Sequence, residues 1–346
     1  MSSLSEANTK FTLDLFQELR KSKDNVFYSP ISITAALAMV YLGAKGKTAQ
    51  EMEKVLHFNE VTKESKGKTQ TSHEYLNDLK NFYLTDAESV DFENETEESR
   101  KKMNTWVEKQ THDKIKDFFP VNSLDNGTKL VLVNAVYFKG QWENKFNKNY
   151  TVEGKFWLNK DTSKCVQMMK QSIYLNFASL EDVQAKMVEI PYKDKALSMV
   201  VLLPNEVDGL QQLEDGLTGE KLMEWASLQN MNTKQVNLRL PRFKVEQSFS
   251  LNDILQNMGM VKAFSPGDAD FSGMTGDAGL VVSKAQHKSF VEVNETGTEA
   301  AAATEVTMSL TSSRVSEDFH CDHPFLFFIK QNENSSILFF GRVSSP

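Results

Sequence analysis

Side chains able to do covalent or metal chemistry are present in this sequence, but they do not fall into working sets. His73 and Glu74 adjoin as they would on a zinc-binding helix, yet no second histidine stands at the spacing such a helix needs. Asp268, Asp270, Ser272 and Gly273 imitate the first half of a calcium loop. Gly279 occupies the place of the bidentate glutamate, so a turn is expected there rather than a metal site. There is no Gly-x-Ser-x-Gly elbow, no glycine-rich phosphate cradle and no Cys-x-x-Cys pair. His320 and His323 lie close together in a largely apolar run, where packing is the expected role. The reading is therefore not an enzyme, with no catalytic residue, no metal and no cofactor.

More informative are polar residues set singly into apolar elements. Asn134 lies in the middle of Leu130–Phe138, an apolar run expected to be a strand buried on both faces. Its amide must find partners there or cost stability. Ser29 and Ser32 open a helix that runs to Leu42, closes at Gly43 and is apolar nearly all round, hence a buried central helix. His287 stands just before an alternating strand, Ser289–Asn294. Taken singly, each of these is a locally satisfied core polar group.

The elements around them alternate in kind along the chain. Phe11, Leu15, Phe16 and Leu19 mark one face of a first helix, and Asn25–Tyr28 reads as a short strand. Thr48 and Glu51 suggest a capping box for a helix ending near Phe58. Residues 59–73 are polar and loop-like, followed by a helix at Glu74–Leu84 and a short strand at Ser89–Phe92. Thr96 opens a charged helix carrying Met103, Trp106, Val107 and Ile115 on one side and ending at Pro120. Met187–Tyr192 and Leu197–Leu203 form a hairpin. Leu210–Leu228 is a helix interrupted by two glycines. Gln235–Glu246 alternates as a strand, with Pro241 demoting its middle to an edge or bulge. Helices dominate the first third and strands the rest, so the class is α+β, in a single domain over 1–346.

Bulk composition narrows the partners. Forty per cent hydrophobic and 25% charged residues is the mix of a globular chain. A net charge of −8 argues against general nucleic-acid binding, which needs clustered Lys and Arg. No apolar run approaches membrane-spanning length, and the N-terminal residues carry no secretory signal pattern. Cys165 and Cys321 are expected as free thiols in a reducing compartment, so the cytosol is the expected address, with release without a signal peptide as a route outside. A sequon such as Asn126-Gly127-Thr128 would then stay unmodified.

After Ser289–Asn294 comes Glu295-Thr-Gly-Thr-Glu-Ala-Ala-Ala-Ala-Thr304, then Glu305 and a tail of Val, Thr, Met, Ser and Leu. Four alanines favour helix while the tail leans to strand, so the segment has no single strong preference. Gly297 frees the backbone where such a segment would fold over. This stretch resembles the reactive-loop hinge of the serpins, and Phe319-His-Cys-Asp-His-Pro-Phe-Leu-Phe-Phe-Ile329 resembles the serpin signature. Nearly the whole chain is alignable, and it is most similar to the intracellular, ovalbumin-like (clade B) branch, within it to the squamous cell carcinoma antigens.

The resemblance implies a serpin fold, with helices packed around a large central sheet and smaller sheets, and an exposed loop at about 295–318. It implies a bait-and-trap inhibitor of serine or papain-like cysteine proteases. The hinge would comprise Glu295, Gly297, Thr298, Glu299, Ala300, Ala301, Ala302 and Ala303. The reactive bond would be Thr311–Ser312, good to one residue, with Leu310 and Met308 setting specificity. Ser29, Ser32, Asn134 and His287 match the shutter beneath the opening sheet, and Trp142 and Glu295 the breach where insertion begins. The loop would insert between Leu130–Phe138 and Ser289–Asn294. From Gly297 to Thr311 is about 46 Å at strand rise, roughly the length of the molecule. A monomer prone to polymerise is expected. Between residues 59 and 74, one helix and one main-sheet strand of the family pattern find no room. The alternative is thus a non-inhibitory or impaired, substrate-like serpin. The same gap removes a helix that carries a heparin site in some serpins.

Overall fold

The computed structural model describes residues 3–60, 88–227, 231–276, 279–297 and 316–346. The expected helix at Glu74–Leu84, the hinge from Thr298 to Ala303, Met308, Leu310 and the bond Thr311–Ser312 lie outside these residues. What is described is a layered α+β structure around two sheets.

Helix α1 (Ser3–Leu19) buries Phe11, Leu15 and Phe16 as its spacing predicts. Strand β1 (Val26–Tyr28) leads into α2 (Pro30–Gly43), whose N-cap Ser29 accepts a hydrogen bond from the Ser32 N–H. Helix α3 (Gly46–Val55) starts before Thr48, so the expected capping box does not form. The Thr48 hydroxyl instead accepts from Asp270 N at 2.9 Å, and the Glu51 carboxylate from Val261 N and Lys262 N. These two side chains serve a distant loop rather than their own helix. Helix α4 (Thr96–Gln110) ends ten residues earlier than expected. Ile115 is still buried, but on the turn after the helix, and Trp106 points outward at 50% exposure.

The smaller sheet has the order β2 (Leu130–Phe138), β9 (Val282–Val293), β8 (Phe243–Ser250). β2 and β9 are parallel from Leu130 opposite Val282 to Phe138 opposite Val291; β9 and β8 are antiparallel. Residues 130–137 are half-buried rather than buried on both faces, because among the described residues β2 has one neighbour only. The segment expected as a strand at Ser89–Phe92 is not one. The Asp91 carboxylate accepts from Asn94 and folds the chain into a turn, which tucks Phe92 against Val107, Phe118 and Phe119.

The larger sheet has the order β1, β12 (Ile337–Val343), β11 (Phe325–Gln331), β6 (Leu197–Pro204), β5 (Ala185–Pro191), β4 (Ser163–Leu180), β7 (Asn232–Pro241), β10 (Glu317–His320), with β3 (Val152–Trp157) also on β4. The expected hairpin is β5–β6. The run 235–246 is two strands in two sheets: the chain changes sheet at Pro241-Arg242, where proline removes a ladder donor. Phe243, Val245, Val291 and Val293 of the smaller sheet pack against Val201, Phe325 and Phe327 of the larger. On the other side of the larger sheet, α1 and α2 pack over Val200, Leu202, Phe328 and Phe340.

Candidate functional site

Asn134 and His287 are register partners across the parallel β2–β9 pair. The Ser29 N–H donates to His287 Nε2 at 3.2 Å, so the other ring nitrogen carries the proton, and Nδ1 donates to Asn134 Oδ1 at 2.6 Å. Asn134 Nδ2 in turn donates to Ser32 Oγ at 2.8 Å and to Ser32 O at 3.1 Å. Ser29 Oγ donates to Leu338 O on β12. All four residues expected as a cluster are therefore joined in one circuit, which ties both strands to the start of α2. His287 is wholly buried, and burial alone pushes its imidazole down to about 3. The ring is neutral, in the one tautomer the circuit accepts.

The second set lies at the end of β9. Trp142 donates through Nε1 to Asn294 O at 2.9 Å and through its backbone to Thr296 O at 3.0 Å, and its ring stacks on Tyr192 at 4.6 Å. Glu295 is 2% exposed. Its carboxylate accepts from Arg242 Nε at 2.8 Å and from the Thr151 hydroxyl at 2.5 Å. Burial pushes this carboxyl up, but those hydrogen bonds and the guanidinium charge outweigh it, and the net shift is downward. Gly297 has φ 123°, outside the range of L side chains, and a Cβ there would stand 2.2 Å from Gly140 O. Arg242 and Thr151 were not foreseen. The break at Pro241 marks the place, but nothing local in sequence joins either residue to Glu295.

The remaining candidates have local work. His323 lies between Pro204 O and the Asp322 carboxylate, and Asp270 accepts from Ser272. Among the described residues, no group of three His, Cys, Asp or Glu could hold a metal ion. The arrangement clasps two parallel strands and pins the chain that leaves the second one.

Comparison with known proteins assigns this arrangement to a family. The family model "Serpin (serine protease inhibitor)" matches residues 6–73 and 65–346, so the chain belongs to the serpin family. It is similar to Serpin B3 of Homo sapiens, 56% identical over 391 positions, and to the leukocyte elastase inhibitor of Homo sapiens, 43% identical over 380; both comparisons cover 100% of each chain. A crystal structure of maspin superposes with TM-score 0.91 at 32% identity, covering 100% of this chain and 99% of that one. The alignment with Serpin B3 leaves about 45 positions without a residue in this chain of 346. The two stretches matched by the family model meet at 65–73, where the sequence expects a helix and a strand to be missing.

Proposed function

We propose that this chain is a bait-and-trap protease inhibitor. A target protease attacks the loop at Thr311–Ser312, with Leu310 and Met308 presented to its subsites. The protease supplies the nucleophile and becomes an acyl-enzyme, and the freed hinge, Thr298 to Ala303, enters between β2 and β9 as a new strand; strand addition and release of stored strain are known uses of serpin loops. The supporting observation is the direct Asn134–His287 hydrogen bond between those two strands. A strand placed between them must break it, so the circuit holds the sheet closed until cleavage. Glu295, Trp142 and Gly297 fix the point where the entering chain turns.

Chymotrypsin-like serine and papain-like cysteine proteases are the target classes. Leu310 suits the latter, which generally select an apolar residue one before the scissile carbonyl, and Thr311 offers nothing to the acidic pocket of a trypsin-like enzyme. The working form is a monomer acting in the cytosol, with release without a signal peptide as a route outside. Incubation with both protease classes tests the reading. A complex that survives denaturation, with a released peptide beginning at Ser312 by mass spectrometry, is expected. Cleavage without a stable complex defeats the trap, and a peptide beginning at Val315 defeats the bond assignment.

A further inference from the structure

One face of the larger sheet carries a charge arrangement that the fold does not need. Lys170 on β4 and Arg239 on β7 are directly opposed register partners, and His320 on β10 is opposed to Arg239 on the other side. Lys170 and Arg239 set like charges directly across a ladder, which destabilises a sheet, while burial pushes the His320 imidazole down towards its neutral form. Yet among the described residues neither Lys170 nor Arg239 has an ion-pair partner, in a chain whose net charge is −8. Of the nearby carboxylates, Glu317 is paired with Lys234, and Asp318 is hydrogen-bonded to Asn237 and feels the charge of Arg239 without reaching ion-pair distance. Lys170 and Arg239 line a groove of about 410 Å³ whose other wall includes Tyr150 and Val152, respectively 46% and 41% exposed.

The position of this groove gives it a use. The next row of the same face is Ser172, Asn237 and Asp318, and Asn237 Nδ2 donates to the Ser316 hydroxyl at 3.0 Å, where the loop returns to the sheet. Ser312 precedes Ser316 by four residues, a reach of at most about 14 Å. An enzyme seated on the reactive bond must therefore lie over or beside this face.

We propose that the Lys170–Arg239 groove is a docking site for an acidic segment of the target protease, made outside the reactive bond; this rests on the inhibitor reading above. A guanidinium fork and an ammonium side by side fit one or two carboxylates. Tyr150 and Val152 offer apolar surface to the residues flanking them. Two cations in a narrow groove are too few for a polysulfated chain, which engages many at once.

The test uses a chymotrypsin-like and a papain-like protease, each active and with its nucleophile replaced by alanine. Equilibrium binding of the inactive enzymes to the wild type is compared with Lys170→Glu/Arg239→Glu and with the milder Lys170→Gln/Arg239→Gln, each checked for an unchanged thermal midpoint. A Kd raised about tenfold for at least one enzyme, with most of the difference lost in high salt, is expected. Binding unchanged by both double variants, or no binding by the wild type, overturns the docking site. So does heparin-column retention that falls in the variants while enzyme binding stays constant, which would assign the groove to a polysaccharide. The active enzymes report separately on the trap: charge-dependent binding with no denaturation-resistant complex would sink the inhibitory reading and leave the docking site standing.

Discussion

At the residue scale, two positions carry constraints sharp enough to measure. His287 is held neutral in the fold, with its imidazole near 3 against an ordinary value of 6.5. Below pH 6.5 the unfolded chain takes up a proton that the folded chain refuses. This residue's contribution to stability is therefore complete above 6.5 and declines at about 1.4 kcal/mol per pH unit as pH falls towards 3. Between pH 7 and 5, denaturant unfolding should show the wild type losing about 2 kcal/mol more than His287→Gln. Equal losses would mean the ring is not neutral and buried as described. Gly297 makes the second case. Gly297→Ala places a Cβ against backbone atoms of Gly140 and Gln141 at an unfavourable φ, so no side-chain rotation relieves it. We expect a loss of about 2 kcal/mol or more in the same measurement.

At the element scale, the step proposed above is the entry of the hinge between β2 and β9, with Thr298 as the first side chain to pass. Thr298→Arg should convert the protein from inhibitor to substrate, because an arginine entering the sheet buries an unpaired charge. Loop cleavage continues while the denaturation-resistant complex disappears; complex formed at the original stoichiometry would show that Thr298 does not enter the sheet. Elements also show what the sequence could and could not tell. β2 was legible residue for residue because a nine-residue run of apolar, mostly strand-favouring side chains, interrupted only by Asn134, has few other uses. Its half exposure was not, since that depends on which strands stand beside it. The long β4 gave no clean alternation, as it changes neighbours along its length, from β3 through β7 to β5. Thr48 and Glu51 had the spacing of a cap but were taken by backbone groups more than 200 residues away. The clasp was readable only through family resemblance. Arg242 and Thr151, lying 53 and 144 residues from Glu295, were beyond both kinds of reading.

At the scale of the whole molecule, the question is what a shortened main sheet does to a protein that works by adding a strand. The sheet that would receive the loop is the smaller of the two, with β2, β9 and β8 as its three strands among the described residues. The outer neighbour that the family pattern gives β2 is the strand expected from the sequence to find no room between residues 59 and 74, near where the two stretches matched by the family model meet. Residues 88–91 do not move across to replace it. Insertion itself needs only β2 and β9, whose parallel ladder keeps one register from Val131 to Phe138, so the inserted strand gains two partners and cleavage should still raise the thermal midpoint. The outer edge of β2 gains nothing from insertion. Among the described residues it is a row of unpaired backbone donors and acceptors beside Val131, Val133 and Tyr137, an edge that invites pairing with another chain. Both outcomes can be read from one protein preparation. Limited proteolysis in the loop, followed by thermal unfolding and gel filtration over a range of concentrations, should give a higher midpoint after cleavage. Intact and cleaved protein alike should show a concentration-dependent loss of monomer on heating. A cleaved protein whose midpoint does not rise would mean that three strands are too few to accept a fourth. A monomer that persists at all concentrations would mean that the edge of β2 is covered.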